Sequence, residues 1–325
     1  MSTTKPFRFA VQSYRVDKPS EWRERARRIE ELGYSTLHVA DHYIGPGPML
    51  EATSHRAQTV AAVPALAVAA EATTTLRIGS RMFCIGYHQP VVLAKEAASL
   101  DFFSEGRLEL GLGAGWLENE FMAMGIPFPS AGERISALRE TVDLLNQSFG
   151  DGLVDVAGTH VRAHGFEALP KTPQRPRPPL MIGGGAPRIL RMAGELADIV
   201  SVNYNNRSGK LGADSVATSG TDETAKKVGW VREGAGSRWD DIELETAAYF
   251  VSVTGRSEVG AEDVAAKAGL TVEELRTFPH GLAGTVDEIS DELERRREVY
   301  GFSYITVGDT HMDAFAPVVE RLAGR

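Results

Sequence analysis

Ser35-Thr36-Leu37-His38-Val39-Ala40-Asp41-His42 is a short apolar run that ends on two adjacent polar residues. The run reads as a buried strand, and a charged pair at its end is poor core material. In parallel α/β proteins, chemistry is placed at the carboxyl ends of strands. The segments around this run decide which parallel fold it belongs to. Before it, Phe7 to Val11 is β-rich. Pro19 and Ser20 then open a helical pattern with Trp22, Ala26, Ile29 and Leu32 on one face, closed by Gly33. After it, Gly45-Pro46-Gly47-Pro48 excludes regular structure, and a helix follows from about Arg56 to Glu71.

The alternation continues to the end of the chain. Strands are expected at Leu76 to Phe83, Arg107 to Leu112, Leu180 to Ile182, Asp198 to Val202, Ile242 to Val253 and Ser303 to Val307. Helices are expected from Pro90 to about Phe103, Ala131 to Ser148, Pro187 to Leu196, Val286 to Tyr300 and Met312 to Leu322. A small hairpin is expected around Ala157-Gly158-Thr159. About eight strand-helix units predict parallel strands with right-handed crossovers. Eight units, with no Gly-x-Gly-x-x-Gly loop after the first strand, favour a closed (β/α)8 TIM barrel over an open doubly wound sheet. The expected organisation is a single barrel domain over 1–325. Residues 203–241, rich in Asn, Ser, Gly, Thr and charge, form an insertion near the C-terminal face of the strands, with a helix from about Thr221 to Val231.

Composition narrows the function. The chain has 325 residues, is 42% hydrophobic and 24% charged, and carries a net charge of -9. That balance speaks against general nucleic-acid binding, which needs a basic stripe. It leaves small anionic ligands open. The polar start, Met1 to Phe9, lacks the apolar centre of a signal peptide, and no apolar run is long enough to span a membrane. A cytoplasmic protein is expected. One cysteine, Cys84, excludes an intrachain disulfide. Neither His-Glu-x-x-His nor Cys-x-x-Cys occurs, so no metal site is expected; Gly-x-Ser-x-Gly is also absent.

Three features carry candidate chemistry. His42 can take or give a proton near neutrality, and Asp41 can orient a ligand or a loop. Gly111-Leu112-Gly113-Ala114-Gly115-Trp116, followed by Asn119, would let backbone approach a flat ligand, with Asn119 hydrogen-bonding its ring. Gly183-Gly184-Gly185-Ala186-Pro187-Arg188 follows a strand and opens a helix, where free N–H groups suit a phosphate and Arg188 could add charge. Cys84, at the end of the third strand, has no general base paired with it in sequence and reads as a small buried residue.

As a set, Asp41-His42, Pro90 through Ala94-Lys95-Glu96, Leu100-Asp101, Ser104-Glu105-Gly106-Arg107, Gly111 to Trp116, Ile182 to Arg188 and Gly284-Thr285 to Val307 resemble the luciferase-like monooxygenase superfamily. The closer likeness is to its branch of coenzyme F420-dependent oxidoreductases. The resemblance implies a TIM barrel that binds F420 and moves a hydride to or from a small organic substrate, and it implies a homodimer. It implies that His42 assists proton transfer and that Asp41, Asn119, Gly183, Gly184, Gly185, Ala186 and Arg188 hold the cofactor. It also implies that Cys84 and Ile85 form a bulge with a non-prolyl cis peptide behind the cofactor ring. Sugar-phosphate dehydrogenases of that branch carry a glutamate where this chain has Trp116; Glu118 and Glu120 lie nearby but out of register. Trp116 is therefore expected to shape an apolar substrate pocket. The alternatives are an FMN-dependent monooxygenase using oxygen and a partner reductase, or a non-catalytic flavin-binding barrel. Arg188 and Arg207 are candidates for the acidic tail that F420 carries and FMN lacks.

Overall fold

The structure, a computed structural model, describes residues 5–206, 209 and 213–325. Eight parallel strands form the barrel: β1 (Arg8–Ser13), β2 (Thr36–Val39), β3 (Arg77–Ser80), β4 (Leu108–Gly113), β5 (Leu180–Gly184), β6 (Ile199–Val202), β7 (Glu243–Ala248) and β8 (Phe302–Gly308). Each pairs with its sequence neighbour, and β8 returns to β1, so the sheet has no free edge. The strands are buried along nearly their whole length, as strands covered by helices on the outside must be.

A helix follows each strand: α1 (Pro19–Glu31), α2 (Ala62–Ala72), α3 (Pro90–Phe103), α4 (Ala131–Phe149), α5 (Pro187–Leu196), α6 (Thr221–Ala235), α7 (Val286–Tyr300) and α8 (Met312–Leu322). Local sequence sets their ends. Ser130 and Thr285 cap α4 and α7 through capping boxes with Glu133 and Glu288. Gly33 and Gly301 take left-handed backbone just beyond α1 and α7, where a side chain would be strained. Opposite the site, the barrel's amino-terminal end is closed by a charged cluster. Arg8 bonds Glu109 and Glu243 and lies 3.5 Å over the Tyr304 ring, and Arg77 reaches Glu109 at 2.9 Å. With both cations beside it, the Glu109 carboxyl is held well below the usual range despite its burial.

The (β/α)8 expectation holds, but several segments differ in detail. The helix expected from Arg56 starts only at Ala62, because residues 55–61 form an extended loop. Residues 203–241 are not one insertion. Thr221–Ala235 is α6 of the barrel and packs on α5 through facing glycines. A methyl group on Gly234 would lie 1.9 Å from the Arg191 carbonyl oxygen, and one on Gly194 would lie 2.2 Å from that of Val231. Among the described residues of this span, only those before α6 line the barrel mouth. The expected strand Ile242 to Val253 breaks at Tyr249. Its second half, Phe250–Val253, leaves the barrel and pairs in parallel with Gly281–Gly284. Helices Ala261–Ala268 and Val272–Thr277 lie between these two short strands. This second excursion over the mouth went unread in the sequence.

Candidate active site

A cleft of about 1080 Å³ opens at the carboxyl ends of the barrel strands. That is ample for a tricyclic ring with a small second molecule. Its floor is built on an arginine buried where a strand was expected to run on. Arg81 bonds Glu245 at 3.0 Å, the Gln12 side chain at 3.1 Å, Ser201 Oγ at 3.2 Å and Tyr249 Oη at 3.3 Å. The neighbouring carboxylate and phenols keep its guanidinium charged against the cost of burial.

The non-prolyl cis peptide expected at Cys84–Ile85 lies instead at Arg81–Met82. Pairing explains the position. β3 ends at Ser80, and Phe83–Cys84 pairs anew with β4, so the irregularity falls in the unpaired residues between them. The alternating glycines at 111, 113 and 115, in β4 and just beyond it, accommodate this segment. A methyl group on Gly111 would lie 1.9 Å from the Ser80 oxygen, on Gly113 3.3 Å from Met82 Cβ, and on Gly115 2.8 Å from Cys84 Sγ. Gly111 and Gly115 are thus required by the adjacent chain, with or without a flat ligand.

His42 stands at the end of β2. Its Nδ1 lies 2.6 Å from Oε2 of Glu120, a residue that no local sequence pattern marks. Glu120 is fully buried in the short helix Glu118–Ala123. It also accepts from Tyr43 N–H at 2.6 Å, Ile44 N–H at 3.3 Å and Tyr87 Oη–H at 3.0 Å. Burial alone would raise its pKa; the His42 hydrogen bond and charge, with these other donors, bring it below the usual range. An ionised Glu120 accepts, so His42 Nδ1 carries hydrogen and Nε2 is left for the cleft. His55 lies against His42, with ring centroids 4.0 Å apart, and Trp116 meets His55 edge-on at 5.8 Å.

Asp41 is buried beside His42. Its Oδ2 accepts from the Cys84 N–H at 2.9 Å and from His88 Nε2 at 2.8 Å. Burial opposes the charged form of His88, but the Asp41 hydrogen bond and charge outweigh it and raise the pKa. Asp41 Oδ1 is buried with no partner among the described residues. Such an oxygen beside a cleft is an open acceptor for a ligand N–H or O–H. Cys84 also lines the cleft, but its thiol is pushed up by burial first and by Asp41 second, so it is no nucleophile.

Gly183, Gly184, Gly185 and Ala186 line the wall across from His42, and Ala186 precedes α5 with no side-chain cap on the first N–H groups. Three expected residues do not line the cleft. Asn119 donates to the Met49 carbonyl at 3.2 Å and ties down the loop after β2. Arg188 is exposed and bonds Ser136 Oγ on α4 at 2.8 Å. Ile85 packs in the core. Arg207 lies outside the described residues.

Glu120, His55 and Arg81 are the additions to the expected set. Each contacts residues remote in sequence, so no local pattern marks it. The nearest signal was an acid, Glu120, one residue beyond the expected ring contact Asn119.

A family model described as luciferase-like monooxygenase matches residues 2–218. The chain is 29% identical over 181 residues to an F420-dependent glucose-6-phosphate dehydrogenase of Amycolatopsis mediterranei, covering 55% of this chain and 52% of that protein. It is 26% identical over 232 residues to the 5,10-methylenetetrahydromethanopterin reductase of Methanopyrus kandleri, covering 68% and 61%. The matches therefore span roughly half to three fifths of those relatives' length. The solved structure of the coenzyme F420-dependent tetrahydromethanopterin reductase from Methanopyrus kandleri superposes with a TM-score of 0.73 at 19% identity, covering 98% of this chain and 99% of that one. At that identity the likeness speaks for the fold.

Proposed function

The chain belongs to the luciferase-like monooxygenase family, and from that membership we propose that it is an oxidoreductase whose cleft holds the deazaflavin coenzyme F420 and a small organic alcohol or carbonyl compound. The observation that carries the reading is the His42–Glu120 pair, which sets a proton-transfer group at the cleft beside the partnerless Asp41 oxygen. Relatives named F420-dependent glucose-6-phosphate dehydrogenase support the choice of cofactor.

The residues present fit such a cofactor. Asp41 Oδ1 offers an acceptor to a donor on the ring or its side chain. The uncapped start of α5 at Ala186 offers N–H groups to a phosphate. When bound, F420 supplies a ring carbon that takes up or gives back a hydride. The protein's share is the proton. Glu120 fixes the ring of His42 with Nδ1 carrying hydrogen, and His42 Nε2 takes the proton of a substrate hydroxyl or returns it to a carbonyl oxygen. Trp116 and His55 form the wall beside that hydroxyl.

No described helix is long and apolar enough to cross a membrane. A homodimer in the cytoplasm belongs to the same proposal. Val92 and Phe103, about three turns apart on one face of α3, are 52% and 70% exposed and offer apolar surface to a second copy.

The test is titration of the protein with F420 and with FMN, followed by oxygen-uptake assays with the reduced cofactors. Tighter binding of F420, with no substrate-dependent oxygen uptake, supports the reading. Tighter binding of FMN, with reduced FMN driving oxygen uptake, replaces it with the monooxygenase reading.

A further inference from the structure

His55 carries none of the proton chemistry above, yet its place is tightly fixed. Its backbone N–H donates to Thr53 Oγ1 at 3.1 Å, and the Thr53 hydroxyl donates to the Leu50 carbonyl at 2.6 Å. Its ring sits between His42 at 4.0 Å, Trp116 at 5.8 Å and Tyr14 at 5.9 Å, on the cleft wall. Its Nδ1 lies 2.8 Å from the Arg56 carbonyl oxygen. A carbonyl can only accept, so Nδ1 carries the hydrogen.

The ring is also held neutral. Burial first, and then His42, push its pKa down to about 3; the Arg56 carbonyl bond and Glu120 pull the other way and do not offset them, and the Arg56 side chain adds to the downward push. His55 Nε2 is therefore an acceptor throughout the neutral range. No described residue donates to it. Beside it, His42 Nε2 is the group that exchanges the substrate's proton. Two imidazole acceptors thus stand side by side at the cleft, one able to take a proton and one able only to accept a hydrogen bond.

We infer that His55 is a specificity-determining residue whose Nε2 accepts a hydrogen bond from a second hydroxyl beside the reacting one, so that the preferred substrates are vicinal diols and, in the reverse direction, α-hydroxy carbonyl compounds. The inference rests on the proposed function only for the identity of the reacting hydroxyl. A site built to bond a hydroxyl rejects the analogue that lacks it more strongly than an apolar pocket can, because the acceptor is then left unpaired.

The experiment compares cis-cyclohexane-1,2-diol with cyclohexanol in two arms. The first is nitrogen-15 NMR of the histidine rings in the full-length protein without cofactor. The diol is expected to shift the His55 Nε2 resonance, with cyclohexanol giving little or no shift. The second is F420 reduction by wild type and His55→Phe, a variant that keeps an aromatic ring and removes the acceptor. The ratio of kcat/KM for diol over monol is expected to fall about tenfold or more in the variant. Equal shifts from both compounds, no shift from either, or an unchanged ratio overturns the inference. A diol-specific shift with no F420 reduction by either compound defeats the cofactor reading and leaves His55 as the diol's acceptor. F420 reduction without a diol preference does the reverse. Because the first arm uses wild type alone, a variant that fails to fold does not remove the test.

Discussion

Glu120 Oε2 and His42 Nδ1 stand 2.6 Å apart although 78 residues separate them in the chain. The contact joins the end of β2 to the short helix after β4, and Glu120 receives three more donors from the His42 side of the cleft. One carboxylate therefore does two jobs: it holds the loop after β2 in place and fixes which nitrogen of His42 carries hydrogen.

Those jobs separate under substitution. Glu120→Gln keeps an acceptor for the Tyr43 and Ile44 N–H groups and removes the carboxylate charge that faces His42 Nδ1. It is expected to fold and to lose about tenfold to a hundredfold in kcat. Glu120→Ala leaves several buried donors unpaired. Its thermal midpoint is expected to fall well below that of Glu120→Gln, since each orphaned buried group costs about 1–3 kcal/mol. Steady-state rates and melting curves on the pair check both statements.

His42→Ala is expected to keep the fold and much of the cofactor affinity, because neither the Asp41 contacts nor the α5 terminus depends on it. Turnover is expected to fall about 10²–10⁴-fold, the usual contribution of a general acid-base group. A variant with unchanged turnover would make His42 incidental.

Asp41 and His88 make stability depend on pH. The folded pKa of His88 is raised above its ordinary value of 6.5. The folded state therefore holds that proton more tightly than the unfolded chain. This contribution is fully present below about pH 6.5 and is lost as pH rises through the raised folded value. Asp41→Asn removes the charged partner. The difference in thermal midpoint between wild type and Asp41→Asn is expected to be largest near pH 6 and to shrink on the alkaline side; a constant difference across that range would contradict the coupling.

Much of the barrel was legible because its signals are local. Apolar strands, capped helices and glycine stops recur with the period of a strand-helix unit, and each needs only neighbouring residues to be read. The excursion between β7 and α7 was not legible because Ile242 to Val253 is one continuous β-like run, and nothing in it shows that Tyr249 turns away to stack near His280. The site divides along the same line. His42, Asp41 and the Gly183–Ala186 turn sit at strand ends, where position alone flags them. Glu120 and Arg81 depend on partners 78 and 164 residues away, and such pairings leave no periodicity to find. Asn119 and Arg188 were expected at the cofactor from their places beside the glycine motifs as well as from the resemblance, and instead they brace a loop and a helix.

The glycine turn gives the sharpest separation of backbone from chemistry. A methyl group on Gly185 would lie 2.2 Å from the Tyr204 carbonyl oxygen and 2.5 Å from that of Asn203, both backbone atoms that cannot swing aside like a flexible side chain. The Asn203 N–H donates to the Gly184 carbonyl at 2.9 Å, so the turn after β5 and the loop after β6 are locked together where both face the cleft. Gly185→Ala must part them, moving the uncapped N–H groups at the start of α5. It is expected to lower the thermal midpoint by several degrees, as an overpacked site costing about 1–3 kcal/mol would, and to weaken F420 binding at least about tenfold. Gly229→Ala is the matched control. Gly229 lies inside α6 with nothing within 4 Å of an added methyl, so alanine there is expected to raise stability by about 0.5–1 kcal/mol and leave binding alone. Calorimetric titration and melting curves on the two variants decide the matter. Equal cofactor affinity in Gly185→Ala and wild type would mean that the turn after β5 takes no part in holding the cofactor.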